Sequence, residues 1–180
     1  WIAASMSARG IGGVASSADR ATDPRMPPNA FQTLNEQGRP IIVVSAALLD
    51  QMTSDDEIAF VLSHEASHQI AQHISKQQQQ SILGAMVMGG LVVAAGSYGG
   101  GASDEAIKQA MDLGAMAGGR AYSQTYELEA DTLGAFIAAR SGYDPERGAM
   151  LFTSPALAGG DLSSRSVCGL CQVSIRAALT

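Results

Sequence analysis

Apolar and polar positions first fall into a regular pattern at residues 40–45. Pro40, Ile41, Ile42, Val43 and Val44 form a β-branched run bounded by Gly38 and by small residues. Such a run reads as a strand, and the proline at its start suits a strand end or a sheet edge. Next, Ser54-Asp55-Asp56-Glu57 has the Ser-x-x-Glu form of a helix capping box, with acidic residues in the first turn to complement the helix dipole. Ile58, Val61 and Leu62 recur at helical spacing, which predicts one helix running through His64, Glu65 and His68 to about residue 75.

After a polar tract, Gln77 to Gln80, comes an apolar stretch at 82–95 rich in Gly, Met, Val and Ala. It falls short of the roughly 18 residues that a membrane span requires. It therefore reads as a packed helix or an apolar lid, with a membrane surface as the partner its outer face would take. Gly99-Gly100-Gly101 interrupts the chain, and Ser103 with Asp104 and Glu105 opens a helix toward Gly118-Gly119. A last helix is predicted from about Ser123 to Arg140, stopped by Gly142 with Pro145 beyond. One short strand region among several helices predicts an α+β fold, mainly α-helical.

Length makes one compact domain the default: 180 residues with 46% hydrophobic and 16% charged content close one core. Residues 1–28 mix Gly, Ser, Ala and Pro and read as a linker or partly ordered arm, leaving the functional domain at 29–152. Trp1 stands where Met would, and 1–17 carries no readable signal peptide, so an N-terminal part is expected to be missing. A net charge of -6 excludes a nucleic-acid backbone as the main partner. Cys168 and Cys171 lack the second pair that a four-cysteine metal site needs, which leaves a local disulfide or two free thiols.

The chemistry concentrates in His64-Glu65-Ala66-Ser67-His68. Positions i and i+4 of a helix share a face, so two imidazoles can point at one ion while Glu65 lies alongside as a proton acceptor. Zinc takes a third protein ligand and keeps a fourth position for water, whose pKa then falls toward about 7. The bare spacing arises by chance in roughly one chain of this length in a few hundred. The ordinary alternative is a pair of partly buried, hydrogen-bonded histidines. The clustering of all three histidines (His64, His68, His73) within ten residues weighs against it. In Tyr126-Glu127-Leu128-Glu129-Ala130-Asp131, Glu127 and Asp131 share a helix face. Glu127 can serve as third ligand while Asp131 orients a ligand histidine and Glu129 points elsewhere. A plain acidic first turn remains the other reading of this stretch.

Together these segments resemble the HtpX-like and CAAX-prenyl-protease-like zinc endopeptidases, with their Oma-type and bacterial envelope members, family M-forty-eight of the peptidase classification. The likeness covers roughly residues 29–152. It rests on Asn29-Ala30-Phe31, the segment ending in Leu48-Leu49, Asp56-Glu57-Ile58-Ala59 leading into His64-Glu65-x-x-His68 with His73 after it, Tyr122-Ser123, Glu127-x-Glu129-Ala130-Asp131, and Gly142-Tyr143-Asp144-Pro145. The resemblance implies a zincin-like (gluzincin) fold with the active-site helix beside a small β-sheet. It implies one Zn2+ per chain held by His64, His68 and Glu127, Glu65 as general base and Asp131 behind a ligand. It further implies metalloendopeptidase activity on extended or misfolded protein chains, in quality control at the bacterial cell envelope or periplasm, with substrate adding as a strand along an edge for which 40–45 is the candidate. Tyr122, Tyr126 and His73 are unranked candidates to stabilise the oxyanion. The chain departs from the family at Gln72 and Gln124, where members carry Arg, and at 153–180, an atypical segment expected to be truncated or altered.

Overall fold

A computed structural model describes residues 27–121 and 123–153. The order of elements is β1 (Ala30–Leu34), β2 (Pro40–Val44), α1 (Ala46–Leu49), α2 (Asp55–Ile70), α3 (His73–Gly96), α4 (Asp104–Arg120), α5 (Ser123–Arg140) and α6 (Pro145–Ala149), closed by a 3-10 turn at Met150–Thr153. This is an α+β, mainly α-helical fold. The chain divides into two compact units, one made of 1–71 with 127–180 and the other of 72–126. The arm at 1–28 lies almost wholly outside the described residues, as do Tyr122, Cys168, Cys171 and nearly all of 153–180.

In the first unit, β1 and β2 pair antiparallel, with Gln32 opposite Ile42 and Ala30 opposite Val44. The sequence pattern reveals β2 but not β1, which is only five residues long and follows Pro27-Pro28. Two apolar clusters grip α2 from different sides. Val61 and Leu62 join Ile42, Val44, Leu48 and Leu151, while Phe60 packs with Ala135 and Ala149. With Ser63 and Ser67 also fully buried, α2 is the spine of this unit, enclosed through its middle turns. Its start is the predicted capping box: Ser54 Oγ accepts from the Glu57 N–H at 3.3 Å and the Glu57 carboxylate accepts from the Ser54 N–H at 3.2 Å. Asp56 ties down the far segment by accepting from the Asp144 N–H at 2.9 Å, and Asp144 in turn caps α6 ahead of Pro145.

The expected continuation of this helix to residue 75 does not occur. α2 ends at Ile70, Gln72 takes a left-handed conformation with φ of 56°, and His73 begins a new helix. A non-glycine residue with positive φ costs free energy, and nothing in a glutamine announces it.

The second unit is a helical hairpin. α3 is 24 residues long, since the glutamine tract is continuous with the apolar stretch, and by length and composition it can cross a membrane, unlike the shorter segment visible in the sequence. Glycines make the contact between α3 and α4. A Cβ on Gly84 would stand 2.1 Å from the Gly114 carbonyl oxygen, and one on Gly118 would stand 2.1 Å from that of Gln80. The two backbones therefore touch, and most large apolar side chains face out, with Leu83, Met86 and Leu91 each 60% exposed or more.

Candidate metal centre

The site belongs to the first unit and is built on two helices. α2 presents His64 and His68 one turn apart, and α5 presents Glu127 and Asp131 one turn apart. The helices approach closely because α5 has Gly134 at the crossing. A Cβ there would lie 2.9 Å from the His64 nitrogen and 3.0 Å from its Cα. Gly134 is thus a site residue that reading the sequence misses, because its reason is a tertiary contact absent from the local pattern.

Ligand-type atoms of His64, His68 and Glu127 lie within 4.8 Å of one another. His64 Nε2 is 3.0 Å from His68 Nε2 and 3.4 Å from Glu127 Oε2, and His68 Nε2 is 3.6 Å from Glu127 Oε1. Two ligands each about 2.0–2.2 Å from a tetrahedral ion stand roughly 3.3–3.6 Å apart. Both distances to Glu127 fall in that range and the 3.0 Å between the imidazoles is shorter, so the cluster accepts zinc once the two rings part by a few tenths of an ångström. On the other side of the ring, His64 Nδ1 donates to Asp131 Oδ1 at 3.0 Å. This bond fixes the ring orientation and directs Nε2 at the shared point. Asp131 is buried, and its second oxygen has no hydrogen-bond partner among the described residues.

The electrostatics describe a place that wants positive charge. Burial works against a charged His64, yet the bonds to Asp131 and Glu127 overcome it and raise the imidazole to about 10. Burial likewise pushes Glu127 up, and His64 and His68 more than reverse it, holding the carboxyl well below its usual range. Without an ion, a proton on His64 supplies the cation that these carboxylates attract. Glu65 differs: burial is the largest influence and raises its carboxyl, against the opposing pull of His64, His68 and the Gln32 backbone N–H. A carboxylate with increased proton affinity beside a cation site suits a general base.

The Gln32 N–H also shows which strand borders this centre. It is β1, not the 40–45 run, that bonds to Glu65. His73, expected on the motif helix, instead opens α3 in the other unit and stacks on Tyr126 with ring centroids 4.6 Å apart. The Tyr126 hydroxyl accepts from Gln80 Nε2 at 2.7 Å. Glu129 is exposed.

Residues 13–172 match the model of peptidase family M48. The mitochondrial metalloendopeptidase OMA1 of Arabidopsis thaliana is 28% identical over 128 residues, covering 67% of this chain and 23% of that protein. The chain thus spans less than a quarter of the length of the relative it matches. No solved structure matches the chain.

Proposed function

Because this chain belongs to peptidase family M48, we propose that it is a zinc-dependent metalloendopeptidase that cuts internal bonds of extended or misfolded protein chains. The observation that carries this reading is the convergence of His64, His68 and Glu127 on one point, with Asp131 behind His64. The active-site helix α2 beside a two-stranded sheet is the zincin-like arrangement of that family.

Zinc bound by His64, His68 and Glu127 would supply Lewis acidity, polarising the scissile carbonyl and acidifying a water. Asp131 keeps the His64 ring in the tautomer that offers Nε2 to the ion. Glu65 takes the proton of the attacking water and returns it to the departing amine, for which its raised proton affinity fits it. No covalent intermediate is needed. Gln32 directs its N–H toward Glu65, so the edge of β1 not paired with β2 is the one along which an extended substrate would lie. It would then be read by backbone hydrogen bonds.

The hairpin adds a second partner to this reading: a lipid surface. Glycines inside and large apolar side chains outside are the packing expected where the surroundings, and not a core, solvate the apolar groups. α3 is about 36 Å long at the usual helical rise, and its apolar part from Ile82 to Gly96 is about 22 Å of that, short of a bilayer's hydrocarbon core of about 30 Å but enough to lie in a lipid surface. We place the protein at the bacterial cell envelope, and the mitochondrial relative points to the corresponding organelle membrane as the other setting.

The purified chain should hold one zinc and cleave an unfolded protein such as reduced casein. His68→Ala should lose the ion, and Glu65→Gln should keep it while losing cleavage. A wild-type chain that binds zinc yet cuts nothing in a panel of extended substrates defeats the enzyme reading. Failure to float with liposomes defeats the lipid partner alone.

A further inference from the structure

The unpaired edge of β1 offers a fixed set of groups. On the side facing β2, the Asn29 carbonyl accepts from the Ser45 N–H at 2.9 Å and the Asn35 N–H donates to the Arg39 carbonyl at 2.8 Å. Backbone direction alternates along a strand, so Ala30, Gln32 and Leu34 turn their N–H and C=O groups the other way, to the free edge. In keeping with that direction, the Gln32 N–H bonds to the Glu65 carboxylate, which brings Gln32 against the proposed general base.

The side chain of Gln32 is set by the register. Directly opposed residues of an antiparallel pair share a face of the sheet. Gln32 is opposite Ile42 and Ala30 opposite Val44, and both partners are buried with Val61 and Leu62 of α2. The Gln32 carboxamide therefore lies on the α2 side. Gln32 as a whole is half-buried, yet its Oε1 is buried and has no hydrogen-bond partner among the described residues. An orphaned acceptor of this kind costs free energy that a donor would recover. Of the three residues that turn their backbone to the free edge, Ala30 packs a methyl against the core and Leu34 is apolar and 58% exposed. Gln32 alone of the three brings a hydrogen-bonding side chain.

We propose that Gln32 is a specificity-determining residue of the peptidase: its carboxamide oxygen accepts from the substrate side chain that pairs with it across the free edge, selecting residues that carry an N–H or O–H donor beside the scissile bond. The proposal rests on the enzyme reading above, with substrate added to β1 as a strand, and goes further in naming the kind of side chain selected. A substrate residue directly opposite Gln32 places its side chain on the same face, with Cβ atoms about 4.5–5.5 Å apart, within reach of the carboxamide. Serine, threonine, asparagine, glutamine, lysine and arginine supply a donor there, whereas an aliphatic side chain leaves Oε1 unpaired. Because Glu65 acts at the bond that is cut and itself touches Gln32, the selected residue stands next to that bond.

The measurement is the cleavage profile of the zinc-loaded chain on a peptide library randomised at every position, read by mass spectrometry. Wild type should favour donor-bearing over aliphatic side chains by about 5–100-fold at one fixed position within about two residues of the cut. Gln32→Leu keeps the backbone N–H but has no side-chain acceptor. Its profile, scaled to its own total cleavage, should lose that preference, and the donor-bearing and aliphatic versions of one peptide should then be cut with equal kcat/KM. One profile shared by wild type and Gln32→Leu overturns the proposal, and is the result expected if water alone satisfies Oε1. Should Gln32→Leu not fold, Gln32→Met and Gln32→Glu are read in the same way: the preference should vanish in the first and survive in the second, which retains acceptor oxygens, and wild-type profiles in both overturn it equally. A wild type that cuts without preference near the scissile bond sinks the proposal and leaves the enzyme reading standing. A wild type that binds zinc and cuts no peptide fails the enzyme reading, and the role of Gln32 falls with it.

Discussion

The two compact units use the same residue for opposite ends. In the unit that carries the metal centre, Gly134 and Gly148 let helices meet backbone to backbone beside a core that already holds Phe60, Leu62 and Leu151. There glycine sets geometry, and large side chains supply the stabilisation. In the hairpin, Gly84, Gly114 and Gly118 are themselves the interface, with Leu83, Met86, Leu91 and Leu113 on the outside. An ordinary water-soluble helix pair would put those side chains between its helices, where burial is worth about 1.5–3 kcal/mol each. The contrast teaches that exposed leucine and buried glycine are one observation: where glycines make the helix contact, the large apolar side chains are left outside it.

The largest effect expected separates chemistry from scaffold: Glu65→Gln should lower turnover by about 10²–10⁴-fold in a peptide-cleavage assay, with the zinc content and melting curve of wild type. Loss of zinc together with activity would show Glu65 to be a structural part of the site instead.

The packing contrast is tested most directly by two leucines. Leu62→Ala, at a position 7% exposed, should cost about 2–5 kcal/mol in urea unfolding. Leu91→Ala, at 60% exposed, should change stability in water by less than about 0.5 kcal/mol and weaken liposome binding. Equal losses at both positions would erase the distinction between the units.

Gly134→Ala places a methyl against the backbone of His64, which cannot turn aside. A destabilisation of about 1–3 kcal/mol is expected, with weaker zinc binding measured by competition with a chelator. In the hairpin, Gly114→Ala meets the Gly84 carbonyl at 2.2 Å and should speed amide exchange in α3 and α4 while α2 keeps its protection.

The last test concerns protons. In the ion-free protein His64 stays protonated up to about 10, and its Nε2 must lose that proton to bind zinc. Below that value each zinc should therefore release about one proton from His64, and affinity should rise about tenfold per pH unit between roughly pH 6 and 9. Calorimetry in buffers of different ionisation enthalpy counts the protons, and a count of zero contradicts the charge described for His64.

The parts of this architecture legible in the sequence are those written in local chemistry. Ser54 and Glu57 announce the start of α2, the spacing of His64 and His68 survives any helix, and Gly142 with Pro145 marks the end of α5. Glu127 and Asp131 were reachable because a four-residue step on a helix is a fixed geometry. What stayed hidden depends on distant partners or on permissive backbone. The left-handed Gln72 has no residue-type signal, so the break that moves His73 off α2 could not be read. β1 is a strand because β2 and α2 give Ala-Phe-Gln-Thr-Leu something to pair with. The role of Gln77 and Gln80 was disguised by composition, since four consecutive glutamines look the same whether solvated or bonded.

The hairpin's place in the chain also bears on how the molecule assembles. His68 and Glu127 are separated by roughly 60 residues, and closing a flexible loop of that length costs entropy before any ligand contact repays it. α3 and α4 are sequence neighbours joined by a short glycine-rich turn, so their pairing is a fast local event. Once Gln77 has reached Gly119 and His73 has stacked on Tyr126, the effective loop between the two ligands shrinks to a few residues on either side of that stacked pair. An insertion that looks like an interruption of the active site thereby shortens the search that completes it.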